Sequence, residues 1–450
     1  MARPGLGLLR AGGALGLLVV ATSQASAGGF ALREQSTYGQ GTSFAGVAAG
    51  GALSSMFWNP ATMTQFAGVV SESGFTGIFA RANNTPTAGS TLLSPGGLLG
   101  PLPGTSNTAE AALVANSYFS LQLNPNIWLG FAFNAPFGLS TNFPELWAGR
   151  NYGASSSLKT YNGTPTIAWR INDWISVGAG VQIQYATSGL KFGFLPFGLP
   201  GQDVYLNSLT GWGYGATAGV TLTPGPRTTI GIGWRSAINQ KLDGTLTVAP
   251  LVGGPTTTPG PINATVYLPD TVSLGIRHRF DDRWTVMATG EWTNWSRIGN
   301  VTFTGPSGSV ATIVNVPVSL PLQYRDGWFF SGGAEYQWSD RLALRAGVGY
   351  EISPVTDQVR MPDVPDNNRF WLSVGASWQV FRGVSFDLAY SHIWVQNPSI
   401  NITAASGNPW FALGSGVSYV GNVDAHIDIL SASLVWRFGL PAPKTALITK

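Results

Sequence analysis

The chain holds 450 residues, with 24 Lys and Arg against 21 Asp and Glu and a formal net charge of +3. No Lys/Arg run is present, so nucleic-acid binding has no electrostatic footprint, and the absence of cysteine removes disulfide and thiol chemistry. Only 10% of residues are charged while 44% are hydrophobic, against about 25% charged in a typical soluble domain, which points to a β-rich protein with an apolar outside.

The chain opens Met1-Ala2-Arg3-Pro4, with a second Arg at position 10, then an apolar stretch from Ala11 to Ala21 and the small-x-small triplet Ala25-Ser26-Ala27. This is the layout of a secretory signal peptide over 1–27, with Gly28 as the mature N-terminus. The apolar run is too short and glycine-rich for a membrane anchor, and nothing later approaches the ~20 apolar residues of a membrane helix.

Residues 28–68 are small and broken by glycine, too few to build a core alone, which leaves a periplasmic tail or a plug. Within them Asn59-Pro60-Ala61 reads as a fixed turn, because Pro60 locks its own φ and biases Asn59 away from the helical region. From Val69 onward strict alternation recurs. In 175–185, Ile175, Val177, Ala179, Val181, Ile183 and Tyr185 share one face, and Leu342, Leu344, Ala346, Val348 and Tyr350 do the same later. Period two with one apolar face is the strand signature.

The connections decide the architecture. Short polar turns at 124–126, 172–173, 223–226, 281–282, 339–340 and 382–383 alternate with long stretches near 82–112, 143–157, 191–211, 249–266, 305–322, 353–368 and 397–424. About fourteen strands, with short turns on one rim and long loops on the other, describe a bacterial outer-membrane barrel. Trp128, Trp174, Trp284, Trp338 and Trp436 near the short turns, and Trp292, Trp295 and Trp394 towards the long loops, are expected to form two aromatic girdles. The prediction is an all-β, transmembrane, 14-stranded antiparallel barrel over 69–438, with the tail 439–450 beyond it. Asn134-Ala135-Pro136-Phe137-Gly138 interrupts the strand that begins at Ile127. A proline there cannot donate to the ladder, so a bulge or local opening is expected.

Gly28-Gly29-Phe30-Ala31-Leu32, Gln35-Ser36, Gly39-Gln40-Gly41, Ala45-Gly46 and Asn59-Pro60-Ala61 together resemble the N-terminal hatch of the FadL-type long-chain fatty acid transporters. The likeness continues in order through Asn134–Gly138, Trp147-Ala148-Gly149-Arg150, Trp234-Arg235-Ser236, Leu268-Pro269-Asp270, Glu291–Ser296, Tyr350–Pro354 and Val364–Trp371. The resemblance implies that 28–68 is a hatch inside the lumen. It implies a ligand route from an extracellular groove to an inner pocket beside Gly28, Gly29 and Phe30. From there it implies a sideways exit at the kinked third strand, Asn134 to Gly138, with Asn59-Pro60-Ala61 in contact with that kink as a gate.

The groove is expected among the third and fourth long loops, where Phe192, Phe194, Leu195, Phe197 and Leu199, then Leu251 and Val252, present apolar side chains to the outside. Lys191, at the base of the first of these, is the candidate partner for a cargo carboxylate. Thr187-Ser188-Gly189 stands where the fatty acid transporter is richer in charge, which favours a neutral cargo, whereas the whole-chain likeness favours fatty acids over the aromatic hydrocarbons of the TodX-like branch.

Catalysis has no footing. The only histidines, His278, His392 and His426, lack a Ser/His/Asp arrangement and make a poor metal site. No catalytic residue, metal or cofactor is expected, and a lipolytic enzyme remains the alternative from another class. The expected partners are a hydrophobic small molecule and the lipid and lipopolysaccharide of the bacterial outer membrane, with the chain acting as a monomer.

Overall fold

A computed structural model of the full chain describes residues 28–88, 90, 92–94, 97–99, 103–193, 203–248, 259–305, 318–413 and 417–438. The signal segment 1–27, the tail 439–450 and the predicted groove residues Phe194, Leu195, Phe197, Leu199, Leu251 and Val252 lie outside them.

Fourteen antiparallel strands form the wall, several of them in two segments. They are β1 (Val69–Pro86), β2 (Ala112–Asn124), β3 (Ile127–Asn134, resuming as Gly138–Asn142), β4 (Ser155–Arg170), β5 (Ile175–Gly193), β6 (Asp203–Gly225) and β7 (Thr228–Arg235, then Ile238–Val248). The circuit continues through β8 (Gly260–Leu268, then Thr271–Arg279), β9 (Trp284–Thr293, then Asn300–Thr304), β10 (Val318–Pro321, then Gly327–Ser339), β11 (Leu342–Ile352), β12 (Arg369–Phe381), β13 (Val384–Val395, then Ser399–Ile402) and β14 (Tyr419–Phe438). Each strand pairs with its neighbours in sequence, and β14 returns to β1 in unbroken register from Val69↔Phe438 to Pro86↔Gly421. Closure leaves no free edge, which the hydrocarbon layer requires, since unpaired N–H and C=O groups find no water there.

The alternating pattern sorts as expected. Phe75, Phe79, Val181, Val348, Leu388 and Leu434 stand exposed on the outward face, while their sequence neighbours point inward. Trp174, Trp284, Trp338 and Trp436 are exposed near the short turns, and Trp394 towards the other rim. Two predicted girdle residues are not in the girdles. Trp128 is fully buried and its Nε1 donates to the Phe66 carbonyl at 2.7 Å, and Trp295 is buried inside the barrel. Trp128 has the inward parity of Ala132 and Asn134, and Trp295 lies in a 3-10 turn, Trp295–Ile298, that carries it off the strand. The strands β5 and β6 also run further than expected, to Gly193 and from Asp203, so the loop between them is shorter than 191–211.

Residues 28–68 lie inside the wall and are almost wholly buried. They hold one short helix, Thr37–Gln40, capped by the Ser36 hydroxyl, and 3-10 turns at Val47–Ala49, Leu53–Phe57 and Pro60–Gln65. Inward-facing glycines of the wall let this segment's backbone touch the strands. A Cβ on Gly347 would collide with the Thr42 carbonyl, and one on Gly231 with the Ala48 carbonyl. At the short-turn end, Arg345 stacks 3.7 Å from the Tyr38 ring centroid and bonds Glu335 at 2.7 Å, while Arg277 reaches the Tyr38 hydroxyl at 2.9 Å. Both arginines face inward and fasten the plug.

Candidate functional site

An apolar cavity of about 140 Å³ inside the barrel lies towards the long loops. Leucines of five strands line it (Leu158, Leu190, Leu209, Leu242 and Leu268, with Leu190 on the same strand as Phe192), together with Val301 and Phe303 of β9. Phe30 closes its floor from the N-terminal segment. Phe30 meets Trp295 edge-on at 4.8 Å and Phe137 at 6.2 Å, and Trp295 meets Phe137 at 6.2 Å. Three aromatics from the plug, the broken third strand and the β9 turn thus separate the upper cavity from a second one of about 80 Å³, which is more polar and borders Arg33, Arg235, Glu291 and Glu351.

The charged groups that line the upper cavity, Lys191 and Asp363, are both engaged. Lys191 pairs with Asp203 at 3.2 Å, and Asp203 is shared with the buried Arg150, so two cations flank one carboxylate. Asp363, from the loop between β11 and β12, accepts from Ser156 at 2.6 Å and from Thr141 at 3.4 Å. Burial pushes its carboxyl up to about 7, against the pull of those two hydroxyls. A carboxyl raised in the folded state contributes stability that is present below its ordinary value near 4 and lost as pH rises through 7. Affinity for a neutral apolar fluorophore is therefore expected to fall roughly three- to tenfold between pH 5 and 8.5, and to become flat in Asp363→Asn. A slope that persists in the variant would assign the effect elsewhere.

The third strand is broken where Pro136 was expected to break it. Against β4, Asn134 pairs with Asn162 and Gly138 with Lys159, so four steps on β3 oppose three on β4, a one-residue bulge. On the other side the ladder with β2 stops at Ser117↔Phe133, and Ala112–Asn116 have no partner strand on β3. The upper part of β3 is held again at the Ala109↔Thr141 bridge, by the Asn142 N–H to the Thr108 carbonyl at 2.9 Å and the Glu110 N–H to the Ser140 carbonyl at 3.3 Å, and by the Ser140 hydroxyl on the Glu110 carboxylate. A window in the ladder results.

The window is filled by residues 30–35. Ala31 bridges Phe137, the Leu32 N–H donates to the Pro136 carbonyl at 2.8 Å, and the Gly138 N–H to the Phe30 carbonyl at 2.9 Å. Gln35 Nε2 donates to the Ala135 carbonyl at 2.8 Å, and Tyr118 links the Gln35 carbonyl to Asn134. The backbone groups freed by the proline are thus satisfied from the plug, as a buried backbone demands. The start of this segment is gripped in turn, with the Gly29 N–H donating to Asp366 at 2.7 Å and Arg369 holding the same carboxylate at 2.6 Å.

Asn59-Pro60-Ala61 does not meet this break. Asn59 Nδ2 donates to the Val220 carbonyl of β6 at 2.9 Å and to the Ala48 carbonyl at 2.7 Å, and its Oδ1 caps the Ala61 N–H at 3.0 Å. The turn sits on Gly178, Gly219 and Gly233 of β5, β6 and β7, where any side chain would collide with it or press against it. It is the correct turn at a different address, because Asn59 has both a cap to make and a strand carbonyl to satisfy, and both lie on the β5–β7 side. The same 3-10 turn touches β3 below the break, where Met63 lies against Gly130.

Of the predicted site residues, the structure brings together Phe30, Phe137 and the kink, and places Phe192 and Lys191 on the upper cavity. Gly28 lies beside Glu351 in the lower region. Trp295, Asp363, Arg150 and Asp203 escaped sequence reading. Only Trp295 left a local signal, since it follows Asn294 just after a strand with no room for another alternating pair.

Residues 18–438 match the family described as outer membrane protein transport protein (OMPP1/FadL/TodX). The chain is 27% identical over 412 residues to outer membrane protein P1 of Haemophilus influenzae, covering 84% of this chain and 88% of that one. It is 25% identical over 421 residues to the long-chain fatty acid transport protein of Escherichia coli K12, covering 84% and 91%. Among solved structures, a Pseudomonas aeruginosa FadL homologue superposes with a TM-score of 0.79 at 23% identity, over 92% of this chain and all of that one. The Pseudomonas putida toluene transporter TodX superposes with a TM-score of 0.65 at 16% identity, covering 92% and 99%.

Proposed function

Because the chain belongs to the OMPP1/FadL/TodX family of outer-membrane transport proteins, we propose that it admits long-chain fatty acids by passive diffusion. In this reading the acid enters the apolar cavity from the long-loop side, passes the Phe30–Phe137–Trp295 floor, and leaves sideways through the β2–β3 window into the membrane. The observation that carries the reading is an apolar cavity whose floor residue, Phe30, is bonded to the same broken stretch of wall that lacks its ladder. The direct path downward would carry the cargo past Arg33, 2.5 Å from Glu291, and on to the Arg345–Glu335 pair. An apolar chain would leave oil for ion pairs there, at about 0.8 kcal/mol per CH₂. Sideways it stays in oil.

Lys191, with Arg150 behind it, supplies the cation for a carboxylate head. One observation favours the other branch of cargo, the monoaromatic hydrocarbons: Lys191 is already paired with Asp203, and Asp363 adds a buried acid to the same cavity. Uptake of labelled oleate and labelled toluene by cells carrying this barrel alone separates the two. Oleate uptake at several times the empty-vector rate is the expected result, toluene uptake alone would move the assignment to the hydrocarbons, and neither would overturn transport. We place the barrel in the membrane as a monomer in contact with outer-membrane lipid and lipopolysaccharide.

A further inference from the structure

Two of the chain's three histidines meet on the outside of the wall, far from the cavity. His392 of β13 lies 2.7 Å through Nδ1 from Asp428 of β14, and the Tyr390 hydroxyl donates to the same carboxylate at 2.6 Å. The His426 ring stands 5.9 Å from that of His392, and Trp394 packs edge-on against His392 at 4.3 Å. Arg81 of β1 is the direct cross-strand neighbour of His426, is exposed, and its side chain makes no hydrogen bond or ion pair with another described residue. Asp424 is the next outward residue along β14.

The depth of this cluster follows from the strands. Trp436 marks the short-turn girdle on β14, and His426 pairs with Trp394, which with Phe370 belongs to the opposite girdle. The ten residues between them, at about 3.3 Å each on a strand tilted about 40°, rise about 25 Å, the height of the apolar band. His426 and Arg81 therefore lie at the boundary where hydrocarbon gives way to headgroups on the outer side, and Asp428 lies just beneath it. Ionisable groups at such a depth are costly and mark a partner.

The partner's sign is set by what is already satisfied. Asp428 is already engaged by His392 and by the Tyr390 hydroxyl, which leaves the Arg81 and His426 side chains as donors without an acceptor among the described residues. Among the described residues no three metal-ligating side chains converge, and a cation beside His426 would face the Arg81 guanidinium. We propose that Arg81 and His426, with His392 alongside, form a binding site on the barrel's outer surface for the phosphate of a phosphorylated glycolipid of the outer leaflet. Arg81 supplies the forked donor that phosphate takes, and the Trp394 ring lies against the lipid just below. This deepens the lipid contact proposed above and depends on the outer-membrane location, not on the cargo.

The test uses the purified full-length barrel in detergent, titrated with bis-phosphorylated lipid A and with its dephosphorylated form at pH 6, read by native mass spectrometry. One phosphorylated lipid per barrel is expected, with the dephosphorylated form at least tenfold weaker. The double variant Arg81→Gln/His426→Gln should lose at least tenfold for the phosphorylated lipid only. Arg81→Lys alone, which keeps the charge, should lose less, and Lys241→Gln, an exposed basic residue elsewhere, should lose nothing. Equal binding of the two lipids, or a double variant that migrates as a folded barrel and binds like wild type, overturns the proposal. Uptake of labelled oleate by the double variant should remain at the wild-type level, so failure here and failure of the transport reading are separate outcomes.

Discussion

Deleting Pro136 is expected to reduce uptake of labelled oleate to the empty-vector level while leaving a folded barrel in the outer membrane. The break in β3 consists of one residue more than β4 can match, and Pro136 is the residue in it that has no N–H to donate. Removing it brings β3 into one-to-one register with β4 and returns a donor-bearing residue to the ladder. The upper half of β3 can then zip onto Ala112–Asn116 of β2, which lack a partner strand on β3. Each new backbone bond is worth about 1 kcal/mol, so closing the window is downhill and the barrel should resist heat in detergent at least as well as wild type. Loss of uptake with retained heat-modifiable migration is the signature sought. Uptake above one third of wild type would mean that the cargo leaves by another path. Asn59→Ala serves as a contrast. It removes the bonds to Val220 and Ala48 and should loosen the plug by a few kcal/mol, but it leaves the window untouched.

The second large effect is expected from Leu242→Glu. Leu242 is buried and faces the upper cavity with Leu209 and Leu268 around it. A carboxylate there would have no partner among these leucines, and an unpaired buried charge costs several kcal/mol before any cargo is present. Water drawn in around it would then have to be expelled by an apolar ligand. Binding of an apolar fluorophore to the purified barrel should weaken about a hundredfold, near 3 kcal/mol at 1.4 kcal/mol per decade, and uptake should fall with it. Leu242→Met, which conserves volume and apolarity, should bind within threefold of wild type. If the glutamate variant binds as wild type does, the cavity is not on the ligand's route.

The wall was legible from the chain because each strand announces itself locally. Alternation requires only a residue's immediate neighbours, and a short turn such as Asn172-Asp173 declares itself within four residues. The β3 break was legible for the same reason, since a proline's missing donor is a property of the proline. What could not be read were addresses. Asn59-Pro60-Ala61 has a local shape that the sequence dictates, yet its partner, the Val220 carbonyl, lies 161 positions away, and nothing in the tripeptide distinguishes β6 from β3. The segment that does fill the break, Phe30 to Gln35, has no turn chemistry to draw attention. The Arg150–Asp203–Lys191 group fails for another reason. Its members come from one loop and the ends of two strands, each with an ordinary charge, and only folding of the wall and that loop makes them neighbours. The inward place of Trp128 is local too, for it shares the parity of Ala132 and Asn134 along β3.

The glycines under the plug carry a consequence for how such a molecule is made. Carbonyls of Thr42 and Ala48 rest on strand positions where even a methyl group would collide, so plug and wall meet main chain to main chain around the circumference. A finished cylinder offers no path by which a forty-residue segment could be threaded into so close a fit. The wall's seam joins β1 to β14, the first and last strands, and so waits for the end of the chain, whereas the plug lies ahead of β1. The natural order of events is a mandrel that is in place first, with sheet wound about it and the seam sealed last.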